Sequence, residues 1–266
     1  MTSDLFRDQH THVGDLVIPC IDVADGRATT PSRIAGLEGS DDVAAISAVY
    51  AAGSAQKLFL DVFDGWDAIG YLPDLLRRLK DTGVDLLVSV GHGTLPSVDH
   101  AQRLLRAGAD AVSVSTSLVE EPGTVEAALQ ELGGQRIMAV INSRATGPSQ
   151  WNVHIHDGAQ DTGMSAVALA AELAELQVGS ILANSIDREG TGRGFDLALT
   201  RAVASVSGLP VIASGGCGTL SHLQEALSAG DTAYVLVNNM LHNGQHSISE
   251  VRDYLYTYSS FGTGPS

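Results

Sequence analysis

Short apolar runs of four to eight residues, rich in Val, Ile and Leu and bounded by Gly, Asp or Asn, alternate with Ala- and Leu-rich stretches of helical period. The spacing predicts eight strands, at Leu16–Val23, Lys57–Val62, Asp85–Val90, Ala111–Val114, Arg136–Asn142, Ser180–Asn184, Pro210–Ser214 and Ala233–Val237. Each is followed by a predicted helix, for example Ser97–Ala107 and Ser165–Leu176. Strands that are apolar throughout and joined by helical crossovers imply a parallel sheet covered on both faces. Eight such α/β units in roughly 250 residues fit a closed (β/α)8 TIM barrel. A doubly wound open sheet is the alternative.

An internal repeat favours the barrel. Ser89-Val90-Gly91-His92-Gly93-Thr94-Leu95 recurs as Ser214-Gly215-Gly216-Cys217-Gly218-Thr219-Leu220, and Ala107-Gly108-Ala109-Asp110 is answered by Ala229-Gly230-Asp231. The second predicted strand, ending in Asp61 with Asp64 three residues on, is echoed by the sixth, ending in Asn184 with Asp187 three on. The two copies lie about 120 residues apart, as a duplicated half-barrel requires. No linker separates them, so one domain is expected over residues 16–258, with short tails at 1–15 and 259–266.

Composition narrows the class of partner. The chain has 266 residues, 44% of them apolar, which supports a full core and excludes a disordered protein. Its 15 Lys and Arg stand against 31 Asp and Glu, a net charge of -16 that repels nucleic acid and anionic bilayers. No stretch approaches ~18 uninterrupted apolar residues, and the polar start carries no export signal, so a cytoplasmic location is expected. The two cysteines, Cys20 and Cys217, make no disulfide framework.

In a barrel of this kind the working residues lie at the C-terminal strand ends. The first strand ends at Asp22, a carboxylate pointing into the mouth, where partial burial raises its pKa toward acid/base use. Its counterpart in the second half is Asn142, whose amide holds a hydrogen bond but passes no proton on. The turns with Gly91 and Gly93, and with Gly215 and Gly216, offer backbone N–H groups at helix starts as phosphate cradles. Ser115 and Thr116 sit beside the first, Asn238 and Asn239 beside the second. Two such sites on opposite sides of the mouth point to a ligand with a phosphate at each end.

A glycine-rich loop after the sixth strand adds N–H groups from Gly190 and Thr191. Auxiliary candidates are His92, Asp61, Asp187 and Glu189, with Asp64 a further carboxylate three residues past Asp61. His154 and His156 share one face of a β-ribbon after the fifth strand, too few ligands for a zinc site. Nucleophile elbows, Walker loops and dinucleotide fingerprints are absent.

Val17-Ile18-Pro19-Cys20-Ile21-Asp22-Val23 followed by Asp25-Gly26-Arg27 resembles the opening of the cyclase subunit of imidazole glycerol phosphate synthase. Leu104 to Asp110, Asp187 to Thr191 and Val211 to Gly216 resemble the same family, and the likeness runs from about Leu16 to Tyr256. The resemblance implies a lyase of histidine biosynthesis, in which ammonia from a glutaminase partner joins a ribulose-type substrate phosphorylated at both ends. Ring closure and cleavage then give imidazole glycerol phosphate and an aminoimidazole carboxamide ribotide. No metal or organic cofactor is implied. Asp22 matches the family's first acid/base, and Gly93, Thr116, Gly190 and Gly216 match its phosphate sites.

The departures are specific. Asn142 stands where the family has its second catalytic Asp, Thr30 where it has a loop lysine, and Glu189 where it has Asp. Ser115 replaces Asn, and Asn238-Asn239 replace Ala-Ser. Leu16, Gln56, Ala111 and Ser180 occupy the places of four charged residues at the base of the family's barrel. Three functions therefore compete: a divergent cyclase, a phosphate-ligand-binding paralogue without turnover, and a metal-free sugar-phosphate isomerase or lyase using Asp22 alone.

Overall fold

The computed structural model describes residues 5–6 and 13–259; the rest of both predicted tails lies outside the described residues. Eight parallel strands close into a ring: β1 (Val17–Ala24), β3 (Lys57–Val62), β4 (Asp85–Val90), β5 (Ala111–Val114), β6 (Ile137–Gly147), β9 (Ser180–Ser185), β10 (Val211–Ser214) and β11 (Tyr234–Val237). Closure is made by β1 pairing with β11 and β5 with β6. Three short strands decorate the ring: β2 (Arg27–Ala28) folds back on β1, and β7 (Gln150–Ile155) and β8 (Gln160–Ser165) form an antiparallel extension of β6. The fold is the expected (β/α)8 barrel.

Side chains alternate between two cores because successive residues of a strand face opposite ways. In β1, Val17, Ile21 and Val23 join the core between barrel and helices, while Ile18 and Cys20 join an axial column. The same parity sends Leu58 and Leu60 outward and Phe59 inward in β3, and Ile181 outward and Leu182 inward in β9. Both faces are apolar, which is why the strands read as continuous apolar runs. At the upper end the inward positions turn polar: Asp22, Asp61, Ser89, Asn142, Asn184, Ser214 and Asn238 all line one cavity.

The lower end of the axis is packed with apolar groups. Tyr234 is fully buried there, and Phe6 from the N-terminal segment packs edge-on against its ring, centroids 6.0 Å apart. Burying Phe6 contributes about 1.5–3 kcal/mol. Lys57 lies over the Tyr234 ring and pairs with Asp85 at 3.1 Å. Of the four uncharged departures, Ala111 belongs to the axial column and Ser180 is buried.

Local chemistry places the helices. Asp196 caps helix Leu197–Ser207 by accepting from the Leu199 N–H at 3.1 Å, and Gly208 at φ 61° ends it. The other Asp196 oxygen accepts from Trp151 Nε1 at 3.0 Å, tying the β7–β8 hairpin to the barrel. Among the described residues no helix is long and apolar enough to cross a membrane.

Candidate functional site

Strand register brings the candidates together in pairs. Asp22 of β1 stands beside Asp61 of β3, and, in the other half, Asn142 of β6 stands beside Asn184 of β9. Each half closes its pair with the same clasp. Asp64 accepts from the Asp25 N–H at 2.9 Å, and Asp187 accepts from the Ala145 N–H at 2.8 Å. Asp64 and Asp187 therefore hold loops and do not line the cavity.

The acid pair carries perturbed chemistry. Asp61 is pushed up to about 7, first by burial and then by the Asp22 carboxylate. Asp22 is also raised, by burial, with Asn238 and Cys20 opposing the shift through hydrogen bonds. Asn238 Nδ2 donates to Asp22 at 2.8 Å, and the Cys20 thiol lies 3.6 Å from its other oxygen. Neighbouring carboxyls of this kind titrate as a pair, each raising the other's proton affinity.

The amide pair is a fixed chain. Asn184 Nδ2 donates to Asn142 Oδ1 at 2.8 Å and to Glu189 Oε1 at 2.6 Å, which uses both of its protons. Asn142 Nδ2 in turn donates to Ser115 Oγ at 3.3 Å. Asn184 Oδ1 is buried without a hydrogen-bond partner. Glu189 is raised by partial burial and then by Asp157, against the lowering effect of the Asn184 amide.

The two glycine turns differ. Gly91, His92 and Gly93 take φ of 53°, 59° and 70°, a run of left-handed residues that folds the first turn onto its neighbour. The Ser115 N–H donates to the Gly93 carbonyl at 2.8 Å, and Thr116 Oγ1 donates to the His92 carbonyl at 2.8 Å. A Cβ on Gly93 would lie 2.5 Å from the Ser115 nitrogen, so this close approach admits only glycine. In the second turn Gly215 and Gly216 line the cavity together with Asn238 and Asn239. The loop after β9 leans on this turn, the Gly194 N–H donating to the Gly216 carbonyl at 2.8 Å.

The cavity measures about 630 Å³ and opens at the C-terminal strand ends. Of the candidates it gathers Asp22, Asp61, His92, Ser115, Asn142, Glu189, Gly190, Gly215, Gly216, Asn238 and Asn239. Gly91, Gly93, Thr116, Thr191 and Asp187 are not among the residues that line it. His92 stacks on Phe63 at the rim, with centroids 6.3 Å apart. His154 is buried in the hairpin and His156 meets Glu120 at 2.9 Å. Among the described residues no three His, Cys, Asp or Glu converge as a metal site.

Asn184, Cys20 and Asp157 are among the wall residues that sequence reasoning did not put forward. Asn184 was signalled by its place as the echo of Asp61, and Cys20 by parity with Asp22. Asp157 carried no signal, because the turn of the β7–β8 hairpin reaches the mouth only through the tertiary fold.

The family model for histidine biosynthesis proteins matches residues 16–247. The chain belongs to this histidine biosynthesis family and, within it, is a HisF-like member. Imidazole glycerol phosphate synthase subunit HisF of Prochlorococcus marinus strain NATL1A is 35% identical over 242 residues, covering 90% of this chain and 94% of its own. The HisF subunit of strain NATL2A matches with the same identity and coverage.

Proposed function

We propose that the protein is a cytoplasmic cyclase of the lyase class. It joins ammonia from a glutaminase partner to a ribulose-type substrate phosphorylated at both ends, in histidine biosynthesis or a related specialised pathway. The observation that supports this most is the placement of Asp22: a carboxyl with raised proton affinity at the end of β1, sharing the cavity with Asn238 and with the glycine turn after β10. Asp22 takes a proton from the attacking nitrogen, and Asp61 beside it buffers the charge that forms.

Binding rests on backbone and neutral groups. Gly215, Gly216, Asn238 and Asn239 receive one phosphate at the β10–β11 side, and Gly190 and Thr191 extend that site. The β4–β5 side, with Gly91, Gly93, Ser115 and Thr116, receives the other once its internal hydrogen bonds open.

The test is turnover by purified protein with ammonium chloride and the bis-phosphorylated ribulose-type substrate. Activity is expected and should be lost in Asp22→Asn; a rate no higher than the uncatalysed one refutes the reading. Asn142 favours a second reading, a phosphate-ligand-binding barrel without turnover, since its amide cannot relay a proton. Activity that appears only in Asn142→Asp would select that second reading.

A further inference from the structure

Condensing ammonia with a carbonyl carbon needs proton transfers at two atoms. One group removes a proton from nitrogen, and another delivers a proton to the departing oxygen. Asp22 and Asp61 lie on neighbouring strands, β1 and β3, and serve one side of the mouth. Across the barrel, on β6 and β9, the matching positions are Asn142 and Asn184, which carry no transferable proton. A substitute must come from elsewhere on that side.

Most candidates there are already committed. Asp187 holds the Ala145 N–H at 2.8 Å, and His156 pairs with Glu120 at 2.9 Å outside the cavity lining. Glu189 is different. Its Oε1 accepts from Asn184 at 2.6 Å, Asn184 also holds Asn142 at 2.8 Å, and all three side chains line the cavity. The amide chain from Ser115 through Asn142 and Asn184 thus ends on a carboxyl group, and each link orients the next.

We propose that Glu189 is the catalytic acid on the far side of the mouth, positioned by Asn184 and Asn142 and replacing the carboxylate that position 142 lacks. The inference rests on the ammonia-dependent reading above. In the step assigned to it, the carbon–nitrogen bond forms and the carbon–oxygen bond breaks. This takes two rounds: in each, Asp22 takes one proton from nitrogen and Glu189 gives one to oxygen, the first round forming the carbinolamine and the second expelling its hydroxyl as water to leave the imine. After each round solvent returns the proton from Asp22 to Glu189. The groups facing Glu189 are Asp157 from the hairpin turn, Arg144 from β6, Asp22 from β1 and Asp61 from β3. Partial burial, Asp157 and Asp22 raise its proton affinity above that of an ordinary carboxyl, against the Asn184 hydrogen bond and Arg144, which is the direction an acid requires.

Steady-state kinetics with ammonium chloride and the bis-phosphorylated substrate test this. Glu189→Gln should lose about 10²- to 10⁴-fold in kcat with little change in KM. The fall in kcat as pH rises, which reports deprotonation of the acid, should disappear with it. Glu189→Asp should keep part of the activity, and Asn142→Asp combined with Glu189→Gln should recover at least ~10-fold by restoring a carboxyl group on the same side. Circular-dichroism melts of each variant identify a folding loss. Glu189→Gln within about threefold of an active wild type overturns this proposal and leaves the cyclase reading intact. A wild type without turnover overturns both.

Discussion

The first half of the barrel holds the Asp25 N–H on Asp64 at 2.9 Å, and the second holds the Ala145 N–H on Asp187 at 2.8 Å. Backbone bonds repeat as well: Phe63 N–H to the Val23 carbonyl at 2.9 Å, Ile186 N–H to the Ser143 carbonyl at 3.0 Å. The halves are mechanically alike. Their chemistry has parted, because the same register offers two carboxyls in one half and two amides in the other. Scaffold residues that satisfy backbone donors have little freedom to change without cost, whereas side chains aimed into the cavity answer only to the ligand. Duplication thus preserved the frame and let the contents differ.

Removing Asp22 should cost the most. Asp22→Asn turns one of the first half's two carboxyls into an amide, and turnover should drop by at least ~10²-fold in initial-rate assays. Retention of more than a tenth of the rate would show that the acid pair is not the base.

Asp61 gives a stability effect of definite sign. Its carboxyl ordinarily releases its proton near 4, but in the fold it holds it to about 7. Between those values the native state binds more protons than the unfolded chain, so stability falls as pH rises through that window and stays reduced above it. Asp61→Asn should therefore be more stable than wild type at pH 8, by on the order of 2–4 kcal/mol in urea unfolding, with the gap closing toward pH 4. Parallel stability curves for the two proteins across pH 4–8 would refute the shift.

Asn142→Asp moves the halves the opposite way. A second negative group next to Asn184 raises the proton affinity of Glu189, so the alkaline fall in kcat should move to higher pH while the maximum changes less than ~10-fold. An unmoved pH profile would separate position 142 from Glu189. The clasps should matter least. Asp64→Ala and Asp187→Ala each forfeit about 1 kcal/mol, or ~2–4 °C in melting temperature, measured by calorimetry. Asp64 should be the costlier, since it also accepts from the Tyr71 hydroxyl at 2.5 Å; the 3.8 Å contact of Asp187 with Arg144 is exposed and adds little. A larger loss at Asp187 would contradict this order.

Much of the frame was readable from sequence for a physical reason. Strands buried on both faces must be apolar throughout, so β3, β4 and β5 begin and end where the apolar runs do. β6 runs on to Gly147, five residues past Asn142, because it pairs with β7 beyond the barrel, where burial no longer controls the pattern. The acid end of β1 and the glycine turns were visible as residue types at strand ends. What each turn does was not visible, since Gly93 and Gly216 read alike while only the first is closed by Ser115 and Thr116. Asp157 and the link from Asn184 to Glu189 depend on how two loops meet over the mouth, and no local pattern encodes that meeting.

The packed lower axis has a consequence for traffic. From Phe6 and Tyr234 up through Ile18, Leu87, Met138 and Ile212, each of these side chains is at most 3% exposed. Among the described residues this column fills the lower axis, and the chamber opens at the C-terminal strand ends. Whatever enters last stands nearest the exit, so the large phosphorylated reactant, once seated, sits between the base of the chamber and any small molecule still to arrive. Order of entry is then a property of the architecture, and departing fragments must clear the doorway before another cycle begins.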